Sequence, residues 1–213
     1  MVEEVHFNEK YKIKVFKLTK NNFNSNTYIL SFIHSNQCII IDPSEWTSTF
    51  LIDWLKTHNK IIKYCFITHE HFDHHAGYEL LKNVNDFKTL CSLITIEGMA
   101  NSKKNLSYFY NLDIKSHVIN HINETEENYI NIVSTPGHSK GSICIFIDDM
   151  LFSGDTIIAK EYLTTKLPGG NKLELKKSIS LVQKKIIDNK FSSDVLVFPG
   201  HGNKFFLKDI KVE

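Results

Sequence analysis

The run His69-Glu70-His71-Phe72-Asp73-His74 packs four potential metal ligands, His69, His71, Asp73 and His74, into six residues. A zinc-class cation takes about four such donors, so this run alone comes close to filling one coordination sphere. It follows the apolar segment Tyr64-Cys65-Phe66-Ile67-Thr68. Alternate side chains of an extended chain share a face, which would set His69, His71 and Asp73 on one side of a strand end. A helix starting near Asp73 and running through Ala76-Gly77-Tyr78-Glu79-Leu80-Leu81 would turn His74 toward a second point beside the first. Further donors must come from downstream if the site is to be complete.

Three downstream segments have the required form. Tyr129-Ile130-Asn131-Ile132-Val133-Ser134 leads into Thr135-Pro136-Gly137-His138-Ser139. Leu151-Phe152-Ser153-Gly154-Asp155-Thr156 and Val195-Leu196-Val197-Phe198-Pro199-Gly200-His201-Gly202 each close an apolar run with a glycine beside Asp or His. Loops at strand ends carry chemistry because the sheet fixes their first residue, and glycine lets the backbone turn sharply there. Six of the nine glycines, Gly77, Gly137, Gly141, Gly154, Gly200 and Gly202, lie at or within three residues of these candidates. One histidine at a strand end is ordinarily a surface or hydrogen-bonded residue; the argument for chemistry is that four apolar runs all end this way. His75 lies outside the pattern and is expected behind the site or at its rim. His6, His34, His58, His117 and His121 belong to no motif and are assigned no role.

Through HEHFDH, TPGH, SGD and PGH, in that order over nearly the whole chain, the sequence resembles the metallo-β-lactamase-fold hydrolases and, among them, the glyoxalase II-like branch. Asn24 to Leu30 and Ile39 to Ser44 look like the first strands of that fold, and Asn105-Leu106-Ser107-Tyr108-Phe109 like a segment of its small members. The resemblance implies an α/β (α+β) fold, the four-layered αβ/βα sandwich of two facing sheets with helices outside. It also implies two divalent metal ions, zinc first, with iron or manganese also suited to a mixed His and carboxylate set. His69, His71 and His138 would hold one ion, Asp73, His74 and His201 the other, and Asp155 would bridge them. Asp73 would also orient the attacking hydroxide. No SxxK or GxSxG pattern points instead to a serine nucleophile.

The rest of the chain sets the frame. Strands are expected at Ile13 to Leu18, Thr27 to Phe32, Gln37 to Ile41, Ile62 to Thr68, Lys88 to Leu93, Tyr129 to Ser134, Ser142 to Ile147, Met150 to Ser153 and Asp194 to Phe198, with Asp148-Asp149 turning one hairpin. A helix over Glu45 to Thr57 would bury Trp46, Phe50 and Trp54 as a stripe, and one over Leu173 to Ile187 would bury Leu175, Ile179, Val182 and Ile186. The lysines around that second helix, Lys172, Lys176, Lys177, Lys184, Lys185 and Lys190, then form a solvated face. Pattern alone supports only a mixed α and β chain. With 213 residues, 42% of them hydrophobic, one domain spanning 1–213 is expected. A net charge of +1 gives no field to draw nucleic acid or a membrane. Cys38, Cys65, Cys91 and Cys144 are far apart in apolar runs, the pattern of buried free thiols. No apolar run approaches the ~18 residues of a membrane span or the core of a signal peptide. A cytoplasmic protein acting on a small-molecule substrate is the expectation, with its oligomeric state not legible.

Two departures from glyoxalase II bear on the substrate. That enzyme has a C-terminal helical domain whose basic residues hold glutathione, whereas only Gly202 to Glu213 follow His201 here. Ile157-Ile158-Ala159-Lys160-Glu161-Tyr162 replaces the Gly-Arg-containing stretch common in the branch, although Leu167-Pro168-Gly169-Gly170 resembles the segment that comes after that stretch. The reading is a metal-dependent thioesterase for small acyl thioesters. A lactonase or β-lactamase of the same frame and a mononuclear-iron persulfide dioxygenase are the alternatives. Tyr108, Phe109 and Tyr110 are read equally as pocket wall or core, and Lys160 and Lys166 as solvated loop residues.

Overall fold

The computed structural model describes residues 2–19, 22–44, 49–158, 164–188 and 194–209. Its first sheet has six strands in sequence order: β1 (Val2–Asn8), β2 (Ile13–Leu18), β3 (Thr27–Phe32), β4 (Gln37–Ile41), β5 (Ile61–Phe66) and β6 (Lys88–Leu90). β1 to β4 pair antiparallel, while β4, β5 and β6 run parallel. Parallel neighbours need crossovers; here they contain α1 (Phe50–Thr57) and α2 (Tyr78–Leu81). The second sheet has the order β11-β10-β9-β8-β7, from β7 (Ile130–Ser134), β8 (Ile143–Ile147), β9 (Met150–Gly154), β10 (Leu196–Pro199) and β11 (Phe205–Phe206). α4 (Lys172–Asp188) lies in the crossover between the parallel strands β9 and β10.

The layering follows from side-chain alternation. In β8, Ile143, Ile145 and Ile147 enter the cluster shared with Ile13, Val15, Leu30, Ile39, Ile41 and Phe66 of the first sheet, while Cys144 and Phe146 face Leu175, Ile179 and Val182 of α4. β4 divides the same way, Ile39 and Ile41 inward and Cys38 and Ile40 outward against Leu51 and Leu55 of α1. Strands buried on both faces read as continuous apolar runs rather than alternating ones. The result is a core between two sheets and a helical layer outside each, the expected four-layered αβ/βα sandwich.

Some expectations need correction. β5 stops at Phe66, and Thr68 N–H instead donates to the Asp42 side chain at 2.7 Å. β6 stops at Leu90 because Ser92 caps a helix, α3 (Leu93–Met99), its Oγ accepting from Thr95 N–H at 3.0 Å. The buried residues of α1 are Leu51 and Leu55; Phe50 is exposed and Trp54 half-buried on Phe16, ring centroids 4.8 Å apart, while Trp46 lies outside the described residues. Tyr108, Phe109 and Tyr110 are not core: they are 56%, 65% and 54% exposed, on a 3-10 turn (Ser107–Tyr110) entered through Leu106 at φ 72° and left through Asn111 at φ 57°. The four cysteines are free thiols, three of them buried and Cys91 half-buried. Among the described residues no helix is long and apolar enough to cross a membrane.

Candidate metal centre

The loop after β5, carrying His69, His71, Asp73 and His74, meets three loops from the second sheet, which bring His138 after β7, Asp155 after β9 and His201 after β10. All seven sequence candidates converge. They form three overlapping groups whose ligand atoms lie within 4.8 Å of one another: His69, His71 and His138; His69, His74 and Asp155; Asp73, His74 and His201. Strand periodicity alone would have kept Asp73 with His69 and His71. Phe72–His74 instead forms a 3-10 turn, which carries Asp73 to the other group; the helix expected there, α2, begins only at Tyr78.

Distances within the first group are tight. His69 Nε2 and His138 Nε2 each stand 3.0 Å from His71 Nδ1. Donors around a tetrahedral zinc at about 2.0–2.1 Å are ~3.3 Å from one another, so this spacing suits a small cation. At the other end His201 Nε2 is 3.4 Å and His74 Nε2 3.6 Å from Asp73 Oδ2. Asp155 stands between the two: its Oδ2 is 3.4 Å from His138 Nε2 and 3.5 Å from His201 Nε2, and its Oδ1 is 3.6 Å from His74 Nε2. Among the described residues Asp155 Oδ1 and His74 Nε2 are buried without a hydrogen-bond partner. Two unmatched buried polar atoms facing one point fit a cation between them.

Hydrogen bonds behind the ligands fix which ring nitrogen faces the site. Asp42, at the end of β4, accepts from Thr68 N–H and Thr68 Oγ–H at 2.7 Å and from His74 Nδ1–H at 2.9 Å. With its proton committed to Asp42, Thr68 Oγ1 can only accept from His69 Nδ1–H at 3.1 Å. One carboxylate therefore commits Nδ1 of a histidine in each group as a donor, leaving both Nε2 atoms facing inward. His138 Nδ1–H donates to the Thr164 carbonyl at 3.0 Å, with the same result. The loop bearing His201 is held by Asn26, whose backbone N–H donates to Gly200 O at 2.7 Å and whose Nδ2 donates to Pro199 O and Gly202 O. Glycines serve closeness as well as turning: Gly137, Gly154 and Gly202 have positive φ, but a Cβ on Gly200 would sit 2.2 Å from Asp155 Oδ1.

The charges are divided along the site. Burial first, then His138, push His71 down to about 3, and burial lowers His69 well below its usual value. Burial acts the same way on His74, yet Asp73, Asp155 and Asp42 override it and raise His74 to about 10. His201 is raised against burial by its hydrogen bond to Asp73, and Asp73 is in turn held below its usual range by His74 and His201. Burial thus favours the neutral form of His69 and His71 at one end, while at the other the neighbouring carboxylates favour positive charge on His74 and His201.

Sequence reasoning missed Asp42, Asn26 and Glu70, whose placement only the fold reveals. Ile41-Asp42-Pro43 offered a signal, since a carboxylate closing an apolar strand needs a buried partner. His75 is buried with Nδ1 2.9 Å from Ser116 Oγ, and it belongs to none of the three groups. Lys166 is exposed, and Lys160 and Lys190 lie outside the described residues. Lys176, Lys177 and Lys184 are exposed on α4, as expected of a solvated face.

The chain belongs to the metallo-β-lactamase superfamily, whose family model matches residues 21–201. Members of this superfamily bind divalent metals, and the class this defines is a metallo-hydrolase. Among curated relatives, it is 31% identical over 196 residues to Probable metallo-hydrolase MJ0888 of Methanocaldococcus jannaschii, covering 88% of this chain and 92% of that protein. It is 27% identical over 138 residues to the hydroxyacylglutathione hydrolase of Shewanella halifaxensis, covering 64% of this chain and 49% of the relative, so the match spans about half of that enzyme. The BLEG-1 B3 metallo-β-lactamase has the same fold, with a TM-score of 0.77 at 23% identity over 90% of this chain and 93% of that one.

Proposed function

We propose that the chain is a dinuclear metallo-hydrolase of small acyl thioesters. His69, His71 and His138 hold one divalent cation, Asp73, His74 and His201 the second, and Asp155 bridges them. The observation that carries the reading is Asp155, whose single Oδ2 approaches a histidine of each group at 3.4 and 3.5 Å. Zinc suits the donor set best, and iron or manganese also accept mixed imidazole and carboxylate ligands. Bound cations would supply a water whose pKa falls from about 15.7 toward about 7, and would polarise the substrate carbonyl.

The protein's own groups prepare this chemistry. Asp42, directly and through Thr68, and the Thr164 carbonyl hold Nε2 of three imidazoles toward the site, so these rings need no reorientation when it fills. Asp73 and His201 are the least buried of the seven, with 14% and 12% of their side chains exposed, so substrate reaches the site from their side. Ser25 ties this opening together, donating to Asp73 O at 2.6 Å and bridging to His201. Phe72, next to Asp73 in the chain, is buried in an aromatic cluster with Phe23 and the exposed Tyr110, ring centroids 4.7 to 5.4 Å apart, and Tyr110 offers an apolar face suited to an acyl group.

The thioester follows from the leaving group. A thiol of pKa about 8.5 departs as thiolate near neutrality, whereas an amine must be protonated as it leaves. The likeness to a hydroxyacylglutathione hydrolase supports the same class. Elemental analysis of metal-replete protein should return close to two ions per chain, and a stable value near one would sink the dinuclear assignment. A panel of acyl thioesters, lactones, β-lactams and phosphodiesters tests the substrate. Inert thioesters with another class turned over efficiently would remove the thioesterase assignment.

A further inference from the structure

We propose that Glu70, the residue between His69 and His71, is a positioning residue that locks the His69, His71 and His138 group in its binding geometry; this rests on the proposed reading that those three hold a cation. The side chain turns away from the site. It is buried, and its Oε2 accepts from Ser139 Oγ–H at 2.8 Å, so the residue beside two ligands is bonded to the residue after the third. Ser139 is itself fixed, its N–H donating to Ser142 Oγ at 3.2 Å and its Oγ lying 3.0 Å from Ser142 Oγ. The rest of that loop is held by Thr95 Oγ–H on Gly141 O at 3.2 Å, with Ser92 Oγ 3.0 Å from Thr95 Oγ1.

The protein makes room for this carboxylate at two places. A Cβ on Gly98 would stand 2.3 Å from Glu70 Cβ, and one on Gly141 would stand 2.5 Å from Glu70 Oε2. Burying a carboxylate against a hydroxyl is costly relative to leaving it in water, and nothing in the hydrophobic layering requires a carboxylate at position 70. What the contact accomplishes is a tie between two loops from different sheets. His71 Nδ1 meets His138 Nε2 at 3.0 Å only because those loops are held in register. Three rings brought this close by two separate loops have to be held there from behind, through the loops themselves.

The test isolates this group by working in a His201→Ala background, which dismantles the other one. Zinc affinity is measured by competition with a chromophoric chelator for the background protein and for Ser139→Ala, Glu70→Ala, Glu70→Gln and the double alanine variant. Each single alanine should weaken zinc roughly tenfold, in line with the loss of an outer-shell partner. The double variant should be no weaker than the poorer single, because both delete the same bond. Glu70→Gln should bind like the background protein, since its amide oxygen still accepts from Ser139. A merely structural role would instead lower the melting temperature of the metal-free variants and leave zinc affinity unmoved; that result, or effects that multiply, overturns the inference. A background protein that takes up no zinc overturns it together with the reading on which it rests, and the wild-type metal content tells the two failures apart.

Discussion

Replacing Asp42 by Asn changes one atom and tests how far the second row governs the first. Asp42 has φ of 50°, a left-handed conformation that Asn adopts readily, so the backbone is not disturbed. The carboxylate receives three donors on two oxygens: Thr68 N–H on Oδ1, and Thr68 Oγ–H and His74 Nδ1–H on Oδ2. A carboxamide offers one accepting atom. Thr68 N–H cannot be reversed, so the amide oxygen takes that place and the NH₂ faces Thr68 Oγ1 and His74 Nδ1. His74 must then present Nδ1 as the acceptor and move its proton to Nε2, the atom aimed at Asp73 and Asp155. Cation binding has to reverse that tautomer and forfeit a hydrogen bond to a charged group, about 1.5–3 kcal/mol. At about 1.4 kcal/mol per factor of ten this is roughly a 10- to 150-fold loss of affinity, matching the 10- to 100-fold common for such partners. The His69 group should lose less, since Thr68 Oγ1 still accepts from His69. Stepwise zinc affinities from chelator competition would show one strong and one slight decrease. Unchanged affinity at both steps would refute the claim that Asp42 fixes these tautomers.

Asp155→Asn should weaken both cations together, because a bridge lost is lost to both; elemental analysis showing one ion retained at full affinity would make Asp155 terminal. Gly200→Ala introduces a methyl 2.2 Å from Asp155 Oδ1 and 2.8 Å from His74 Cε1. Overpacking of this kind costs about 1–3 kcal/mol, so metal content and melting temperature should both fall, and an alanine variant with normal metal content would contradict the close packing. Burial pushes the half-buried Cys91 thiol up to about 12. At pH 8 its thiolate fraction is then roughly a thousandfold below that of a free cysteine of pKa about 8.5. Mass spectrometry after iodoacetamide should find the native protein almost unmodified at pH 8, modification rising steeply with pH, and all four cysteines labelled in urea.

What the sequence revealed was set by which signals are local. Seven ligand candidates were legible because residue type, strand end and glycine coincide within a few positions. β2, β3 and β4 were legible as β-rich runs between turns, and their bounds hold to the residue. β1 was missed because Val2-Glu3-Glu4-Val5-His6-Phe7-Asn8 is an edge strand with little buried surface, and edges carry charge. α3 was missed, and its first residue, Leu93, was placed in the preceding strand, because Leu93-Ile94-Thr95-Ile96 is apolar and β-branched and only Ser92, through its cap, marks the start of a helix. The α1 stripe was placed one residue out of phase, so Phe50 faces solvent and Leu51 the core. Asp42 and Glu70 escaped because their roles depend on where side chains end in space, which no spacing rule encodes.

The partition of the chain between the two sheets also has a consequence in time. Among the described residues the strands of the first sheet lie within 2–90 and those of the second within 130–206, and no strand of one pairs with a strand of the other. In synthesis, therefore, the strands of the first sheet and the run carrying His69, His71, Asp73 and His74 are made before the strands that lead into His138, Asp155 and His201. Only when β10 adds beside β9 does His201 arrive. The seven candidates come together only when the second half of the chain has packed against the first.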